Sequence, residues 1–182
     1  MVFEIFNIYI LVECIWLVLP AYAANGFAPL ARGRRAIDGG RMLRGKPLLG
    51  PGKTWEGLAL GVAVAVIVSL IEMFAYPYLP WGISPAPLAI TAMSPLLGFL
   101  LGLGAIAGDA AGSFLKRRLG MKRGASAPLL DQDDFIVGSL LFAMILVPVR
   151  IEWWILLLVI TPFIHLLACA IGYILKVKKT PY

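Results

Sequence analysis

Five long apolar segments, separated by short polar stretches, dominate the pattern of hydrophobic and polar positions along the chain. They lie at about 3–24, 58–79, 86–115, 135–149 and 151–175. A helix needs roughly 20 apolar residues to cross the hydrocarbon core of a bilayer, and four segments meet that length. The fourth is shorter, but Asp134 and Arg150 at its ends reach the two interfaces if residues 148–152 form a tight turn. The pattern predicts an all-α integral membrane protein with five transmembrane helices, forming one domain over residues 1–182.

Composition supports this class of protein. Of the 182 residues, 60% are hydrophobic and only 14% are charged, which excludes a water-soluble domain and a disordered chain. The net charge of +6 indicates anionic partners, either lipid head groups or a charged substrate. Cys14 and Cys169 both lie in apolar segments and are interpreted as packing residues.

Basic residues predict the orientation in the membrane. With five crossings, all Lys and Arg residues except Arg150 fall on one face, which is fifteen of the sixteen. The positive-inside rule places this face in the cytoplasm and the N-terminus outside. The C-terminus is then cytoplasmic, and the chain is predicted to be a multi-pass protein of the cell membrane.

The third apolar segment continues into a group of polar residues that share one helix face. Asp109, Ser113, Lys116 and Arg117 are spaced i, i+4, i+7 and i+8. Asp109 follows about twenty apolar residues, and a carboxylate at the membrane boundary is costly unless it has a partner or a function. The alternative is a structural ion pair with Lys116 or a neighbouring Arg.

A second group of carboxylates, Asp131, Asp133 and Asp134, precedes the fourth segment. Asp131 and Asp134 face the same way on a helix, although acidic residues also simply stabilise helix N-termini. Hard oxygen ligands suit Mg²⁺, which shares phosphate oxygens with a substrate, so Asp109, Asp131 and Asp134 are predicted as metal ligands. Carboxylates among bases at one mouth are typical of phosphoryl or nucleotidyl transfer.

Two glycine-containing stretches are given different interpretations. Gly52-Lys53-Thr54 resembles the end of a P-loop, but Pro47 stands where that motif needs a glycine N–H. This basic loop therefore suits an anionic ligand without being a P-loop. Glycines in the third segment recur every four residues and are predicted to allow close helix packing, namely Gly98, Gly102, Gly104, Gly108 and Gly112.

These motifs resemble the signature of the CTP:phosphatidate cytidylyltransferase family. The matching residues of the longer element are Gly108, Asp109, Ser113, Lys116, Arg117, Lys122, Asp131 and Asp134. The shorter element, Ser-Pro-x-Lys-Thr-Trp-Glu-Gly, is matched by Pro51, Lys53, Thr54, Trp55, Glu56 and Gly57. Gln132 and Arg123 depart from the bacterial and eukaryotic pattern, and the chain is shorter, as in the archaeal branch of the family.

The resemblance implies that CMP passes from CTP to 2,3-bis-O-geranylgeranyl-glycerol 1-phosphate, forming CDP-archaeol and pyrophosphate at a cytoplasmic active site. It implies catalytic roles for Asp109, Asp131, Asp134, Lys116 and Lys122, with Mg²⁺ as the cofactor. The implied nucleotide-binding residues are Lys46, Pro51, Gly52, Lys53, Thr54, Ser113, Arg117 and Arg123.

Two alternative functions remain open from the residues alone. A CTP-dependent polyprenol kinase has a related signature but would transfer the γ-phosphoryl group. A small anion transporter would better explain Glu13 and Glu72, which lie within apolar segments, although the charged residues cluster at one mouth and not at the midplane. No nucleic acid or protein partner is predicted.

Overall fold

The computed structural model describes residues 8–81, 88–121, 127 and 130–174. The described chain is mostly helical, with α1 at Ile8–Phe27, α2 at Trp55–Ala75, α3 at Pro95–Arg118, α4 at Leu130–Ala143 and α5 at Ile151–Ile174. Short 3₁₀ turns follow α1 and α2, at Ala28–Ala31 and Tyr76–Tyr78. Three helical stretches of the described residues are long and apolar enough to cross a membrane: Ile8–Ala31, Trp55–Tyr78 and Pro95–Arg118.

The third helix begins later than the predicted start at about residue 86. Residues 88–94 are not helical, and α3 begins at Pro95 after Ser94, which has an extended backbone. Pro95 disfavours the helical conformation at the residue before it, Ser94. The Ser94 hydroxyl then caps α3 by accepting a hydrogen bond from the Leu97 N–H at 3.2 Å. Hydrophobicity alone did not separate this non-helical stretch from the helix.

The fourth helix is displaced from its predicted range, 135–149. It begins at Leu130, so the aspartates form its first turns and do not precede it. It ends at Ala143, and residues 144–150 make the connection to α5, a longer turn than the predicted one at 148–152. Acidic residues in the first turn are favoured by the helix dipole, which explains why the helix extends back through them.

Helix α3 is central, since it packs against α1, α2 and α4, while α5 packs on α1 and α4. Most of the large, fully buried side chains between these helices are apolar, among them Leu17, Leu97, Leu101, Phe135, Leu140 and Leu157. At the ends of the bundle, where the solvent is water, burial of each such side chain stabilises the fold by roughly 1.5–3 kcal/mol. Where lipid surrounds the bundle, close packing replaces that driving force.

Close packing is most evident where α3 crosses α4. A Cβ at Gly104 would lie 2.5 Å from the carbonyl oxygen of Gly138, and a Cβ at Gly138 would lie 2.2 Å from that of Gly104. No side chain fits at either position without moving a backbone. The prediction that the α3 glycines serve helix packing is confirmed, and the close crossing brings the first turns of α4 beside Asp109.

The segment between α1 and α2, residues 28–54, folds over one end of the bundle and is called the loop domain. A β-hairpin pairs β1, Met42–Leu43, with β2, Lys46–Pro47. Its two turn residues, Arg44 and Gly45, have φ of 52° and 74°, as a tight type I′-like turn requires. Ala36 forms an isolated bridge with Thr54, which returns the chain to the start of α2.

The opposite end of the bundle is held together by Glu13, which is buried in α1. Its carboxylate accepts hydrogen bonds from the Ala89 N–H at 2.7 Å, from Arg150 at 3.2 Å and from the Trp153 indole at 3.3 Å. Glu13 therefore joins the non-helical stretch 88–94 to the start of α5. Glu72, in α2, is also buried, and neither of its carboxylate oxygens has a hydrogen-bond partner among the described residues.

Candidate active site

The start of α2 positions Lys53 at the mouth of the bundle. Thr54 is the N-cap of α2, and its hydroxyl oxygen accepts from the Gly57 N–H at 3.1 Å. The Lys53 carbonyl accepts from the Ile37 N–H at 2.8 Å, so both sides of Lys53 are fixed. Its ammonium group forms an ion pair with the Asp109 carboxylate, across to α3. Two residues predicted independently for the site are thus in direct contact.

Asp38 organises the loop that precedes Lys53. Its carboxylate accepts backbone N–H bonds from Gly40 at 3.0 Å and from Leu49 and Gly50 at 2.9 Å each. These bonds, with that from Gly50 the strongest influence, hold the pKa of the Asp38 carboxyl below its usual range. Sequence analysis assigned Asp38 no role, although an Asp followed by two glycines is a turn signal.

Asp134 lies beside Asp109 because α3 has glycines where α4 approaches it. A Cβ at Gly112 would lie 2.0 Å from Oδ2 of Asp134, and a Cβ at Gly108 would lie 2.1 Å from the Asp134 carbonyl oxygen. Asp134 belongs to the polar start of α4, ahead of the apolar residues that begin at Phe135. Burial, and then the negative charge of Asp109, raise the pKa of the Asp134 carboxyl to about 7. The Asp134 side chain therefore lies against the turn of α3 that carries Asp109.

Asp131 is engaged separately from Asp109 and Asp134. One carboxylate oxygen forms an ion pair with Lys116, and the other accepts from the Ala127 N–H at 2.9 Å. No three His, Cys, Asp or Glu side chains are arranged to hold a metal ion within the described part of the chain. The predicted metal ligands are thus divided, with Asp109 and Asp134 together and Asp131 turned towards Lys116.

A basic cavity of about 470 Å³ opens between the loop domain and the end of α3. Four cations line it, on both sides: Lys46, Lys53, Lys116 and Arg117. The Arg117 guanidinium also donates to the Met121 carbonyl at 2.5 Å, which fixes it at the helix end. The remaining lining includes Ser113 and the backbone of residues 49–52, and none of the described lining residues is acidic.

A second, amphipathic cavity of about 630 Å³ adjoins the first. Its polar end is formed by Lys53, Asp109, Asp131 and Arg32, and its apolar part includes Leu58, Ile106, Phe135 and Ile164. The two cavities share the short wall Pro51, Gly52 and Lys53. The predicted helix face of α3 is divided between them, since Asp109 faces the amphipathic cavity and Ser113, Lys116 and Arg117 face the basic one.

Most of the predicted site residues thus line one of the two cavities, but Asp134 is not among the described lining residues of either. Thr54 lines the amphipathic cavity, but its hydroxyl oxygen already caps α2. Lys122 and Arg123 lie outside the described residues. Sequence analysis missed Tyr22, whose ring lines the amphipathic cavity and packs edge-on against Phe135, because an aromatic residue within an apolar segment gives no signal of its own.

A bundle of apolar helices with a basic cavity and neighbouring carboxylates at one end suits an integral-membrane enzyme that acts on a phosphorylated substrate. The comparison with protein families identifies which one. Residues 6–182 match the family model described as "CarS-like: CDP-archaeol synthase", and the chain belongs to this family. The resemblance to the archaeal cytidylyltransferases drawn from the motifs is confirmed.

Individual relatives agree over nearly the whole chain. A CDP-archaeol synthase of Halobacterium salinarum is 41% identical over 179 residues, covering 94% of this chain and 96% of the relative. One from Methanopyrus kandleri is 42% identical over 171 residues, covering 92% and 91%. A solved structure of an intramembrane enzyme for archaeal membrane lipids biosynthesis matches with a TM-score of 0.74 and 37% identity, covering 86% of this chain and 92% of that one.

Proposed function

We propose that this protein is a CTP-dependent cytidylyltransferase that transfers CMP to 2,3-bis-O-geranylgeranyl-glycerol 1-phosphate, forming CDP-archaeol and pyrophosphate. Family membership supports the activity, because the relatives of similar length carry the name CDP-archaeol synthase. The structural observation that carries the proposal is the pair of adjoining cavities with Lys53 in their common wall. Each cavity fits one of the two substrates.

The basic cavity fits the triphosphate of CTP. Its cations come from three places in the chain, namely β2, the turn before α2 and the last turns of α3. A triphosphate carries several negative charges, and a cavity lined on both sides by cations, with no carboxylate among its described lining residues, lowers the cost of bringing them together. The exposed residues Pro51 and Gly52 offer further backbone contacts to phosphate oxygens or to the base, while the Leu49 and Gly50 N–H groups already donate to Asp38.

The amphipathic cavity fits the phosphorylated end of an isoprenoid lipid. Arg32 and Lys53 can bind the lipid phosphate, while Leu58, Ile106 and Phe135 provide apolar contacts for the first part of the tails. Since Lys53 lines both cavities, a lipid phosphate bound here would lie next to the α-phosphate of CTP. Positioning two reactants in this way is a large part of catalysis in phosphoryl and nucleotidyl transfer.

We expect Mg²⁺ to bind at Asp109 and Asp134. Because Gly112 has no side chain, there is space for the Asp134 carboxylate on the side of α3 near Asp109. Both carboxylates offer the hard oxygen ligands that Mg²⁺ prefers. Asp131 would join them only after its ion pair with Lys116 opened. When bound, Mg²⁺ supplies charge stabilisation to phosphate oxygens in the transition state.

The chemistry needs no separate general base. An oxygen of the lipid phosphate, already anionic, attacks the α-phosphorus of CTP, and the bond from that phosphorus to the bridging oxygen of pyrophosphate breaks. In this proposal Lys53, which lines both cavities, would lie next to the new bond, and Lys116, Arg117 and Lys46 would neutralise the charge that accumulates on the leaving pyrophosphate. Ser113 offers a hydroxyl donor in the same basic cavity.

The proposed arrangement in the membrane is five crossings with the site facing the cytoplasm and the N-terminus outside. The distribution of Lys and Arg supports it. Single cysteines at Arg34 and at Ile145, in a variant lacking Cys14 and Cys169, would be labelled with a membrane-impermeant maleimide in oriented vesicles. Labelling of position 34 from the cytoplasmic side and of 145 from the other is expected, and the reverse result would contradict the orientation.

The activity is tested with purified protein in detergent, Mg²⁺, the geranylgeranyl lipid phosphate and CTP labelled at either the α- or the γ-phosphate. We expect the α-label to enter the lipid with release of pyrophosphate, and diacyl phosphatidate to be the poorer acceptor. Transfer of the γ-label with formation of CDP would instead show a lipid kinase. No transfer of either label by a folded sample would reject the proposed function.

A further inference from the structure

Arg118, the last residue of α3, contacts the loop domain and not the basic cavity. Its neighbours Lys116 and Arg117 both line that cavity, whereas Arg118 is not among the described lining residues. Its guanidinium donates from Nη1 to the Leu43 carbonyl at 2.7 Å, and from Nη2 to the Lys46 carbonyl at 3.3 Å and the Pro47 carbonyl at 2.5 Å. Both terminal nitrogens are thus directed at backbone oxygens, while the buried Nε has no hydrogen-bond partner among the described residues.

These acceptors belong to both strands of the β-hairpin. Leu43 and Lys46 are paired across it, and Pro47 is the partner of Met42. A planar guanidinium can bond several carbonyls in fixed directions, which a single ammonium cannot do. Phe114, one turn earlier on α3, lies under the Arg118 guanidinium at 5.2 Å from the ring centroid and restricts its orientation.

The hairpin has few other attachments to the bundle. Both of its strands are exposed, and among the described residues the other side-chain hydrogen bond between the hairpin and α3 runs from the Lys46 ammonium to the Arg118 carbonyl at 3.3 Å. Yet the hairpin carries Lys46, which forms one side of the basic cavity. The position of that wall therefore depends on Arg118.

We infer that Arg118 is a positioning residue for the nucleotide: it clamps the hairpin onto α3 so that Lys46 and the following backbone face the triphosphate. This inference rests on the proposed function. Arg118 then acts on CTP through Lys46 and does not contact the phosphates itself. The lipid phosphate, in the other cavity, should be affected little.

The test compares Arg118→Ala and Arg118→Lys with Arg41→Ala, an exposed arginine of the same loop whose loss removes the same charge. We expect both Arg118 variants to raise the KM for CTP by about tenfold, as for loss of a charge-assisted contact, with a small change in kcat and in the KM for lipid. Arg41→Ala should behave as the wild type. Recovery of the wild-type KM in Arg118→Lys would overturn the inference, since it would show that charge alone suffices.

A double-mutant cycle and an exchange measurement separate positioning from direct binding. If Arg118 acts through Lys46, the two substitutions should not be additive. The Arg118→Ala, Lys46→Ala double variant should then raise the KM for CTP by less than the product of the two single increases. Amide hydrogen exchange over residues 41–48 should accelerate in both Arg118 variants without any substrate. Unchanged exchange overturns the clamp, whereas a wild type that transfers no CMP overturns the proposed function.

Discussion

Gly112 on α3 and Asp134 on α4 are in contact so close that any Cβ at position 112 would lie 2.0 Å from Oδ2 of Asp134. The contact fixes the place of the Asp134 carboxylate beside Asp109. A glycine that looks like a packing residue in the sequence is therefore also the residue that shapes the proposed ion site.

Replacing Gly112 with alanine should displace the Asp134 carboxylate and lower kcat on the order of a hundredfold. That loss corresponds to an activation free energy higher by about 3 kcal/mol. The thermal midpoint should fall as well, because overpacking costs roughly 1–3 kcal/mol. Kinetics and thermal unfolding in detergent measure the two effects. Ala111→Ser, at an exposed position next to it, is the matched control, and near-wild-type kcat in Gly112→Ala would contradict this role for the contact.

Asp109→Asn should abolish the proposed response to Mg²⁺. The substitution keeps the shape of the side chain but removes the charge that both Lys53 and the ion would use. We expect CMP transfer to fall by about a hundredfold or more, and the rise in thermal midpoint on adding Mg²⁺ with CTP to disappear. The thermal shift is the readout that does not depend on turnover.

Glu152→Gln is the control for Asp109→Asn, because it also removes a carboxylate that is ion-paired, to Arg150 at 3.5 Å, but at the far end of the bundle. It should retain both transfer and the Mg²⁺-dependent thermal shift. An unchanged shift in Asp109→Asn would place the metal site elsewhere.

Asp38→Asn should loosen the loop domain at neutral pH. The amide can accept fewer of the backbone bonds from Gly40, Leu49 and Gly50, and each lost buried bond costs about 1–3 kcal/mol. The expected results are a higher KM for CTP and faster amide exchange over residues 38–50. Exchange as slow as in the wild type would show that the loop does not depend on this carboxylate.

The pH dependence of that difference follows from the direction of the pKa shift. The folded pKa of Asp38 lies below its ordinary value of 3.8, so its contribution is fully present above that value. It is lost as pH falls through the lowered folded pKa. The difference in thermal midpoint between wild type and Asp38→Asn should be constant above about pH 5 and should shrink below about pH 4. A constant difference down to pH 3 would argue against an ionised Asp38.

The sequence predicted the helices well because their signals are local. Apolar runs of sufficient length, the capping Thr54 and the regular spacing from Asp109 to Arg117 are all visible within a few turns. Where α3 begins was missed because residues 88–94 are as apolar as the helix, and one of their contacts, from the Ala89 N–H to Glu13, is with a residue seventy-six positions away. Such a distant partner leaves no mark on local hydrophobicity.

The site was predicted as a set of residues but not as an arrangement. The ion pair of Lys53 with Asp109 joins positions fifty-six residues apart, and its formation depends on the backbone bonds that shape the preceding loop. The division of α3 between two cavities likewise depends on where the loop domain lies. The sequence did not distinguish Arg118 from its basic neighbours, because it shows the charge of each side chain but not the direction in which the guanidinium points.

Glu13→Gln should lower stability more than catalysis. Glu13 is buried and accepts three hydrogen bonds, from the Ala89 N–H, Arg150 and the Trp153 indole, at the end of the bundle away from the proposed site. The neutral amide leaves at least one of these donors without its acceptor, which costs about 1–3 kcal/mol. The thermal midpoint should fall, while kcat per folded molecule changes less than twofold. A large loss of kcat with an unchanged midpoint would instead assign Glu13 to transport or to the reaction, and not to holding the bundle together.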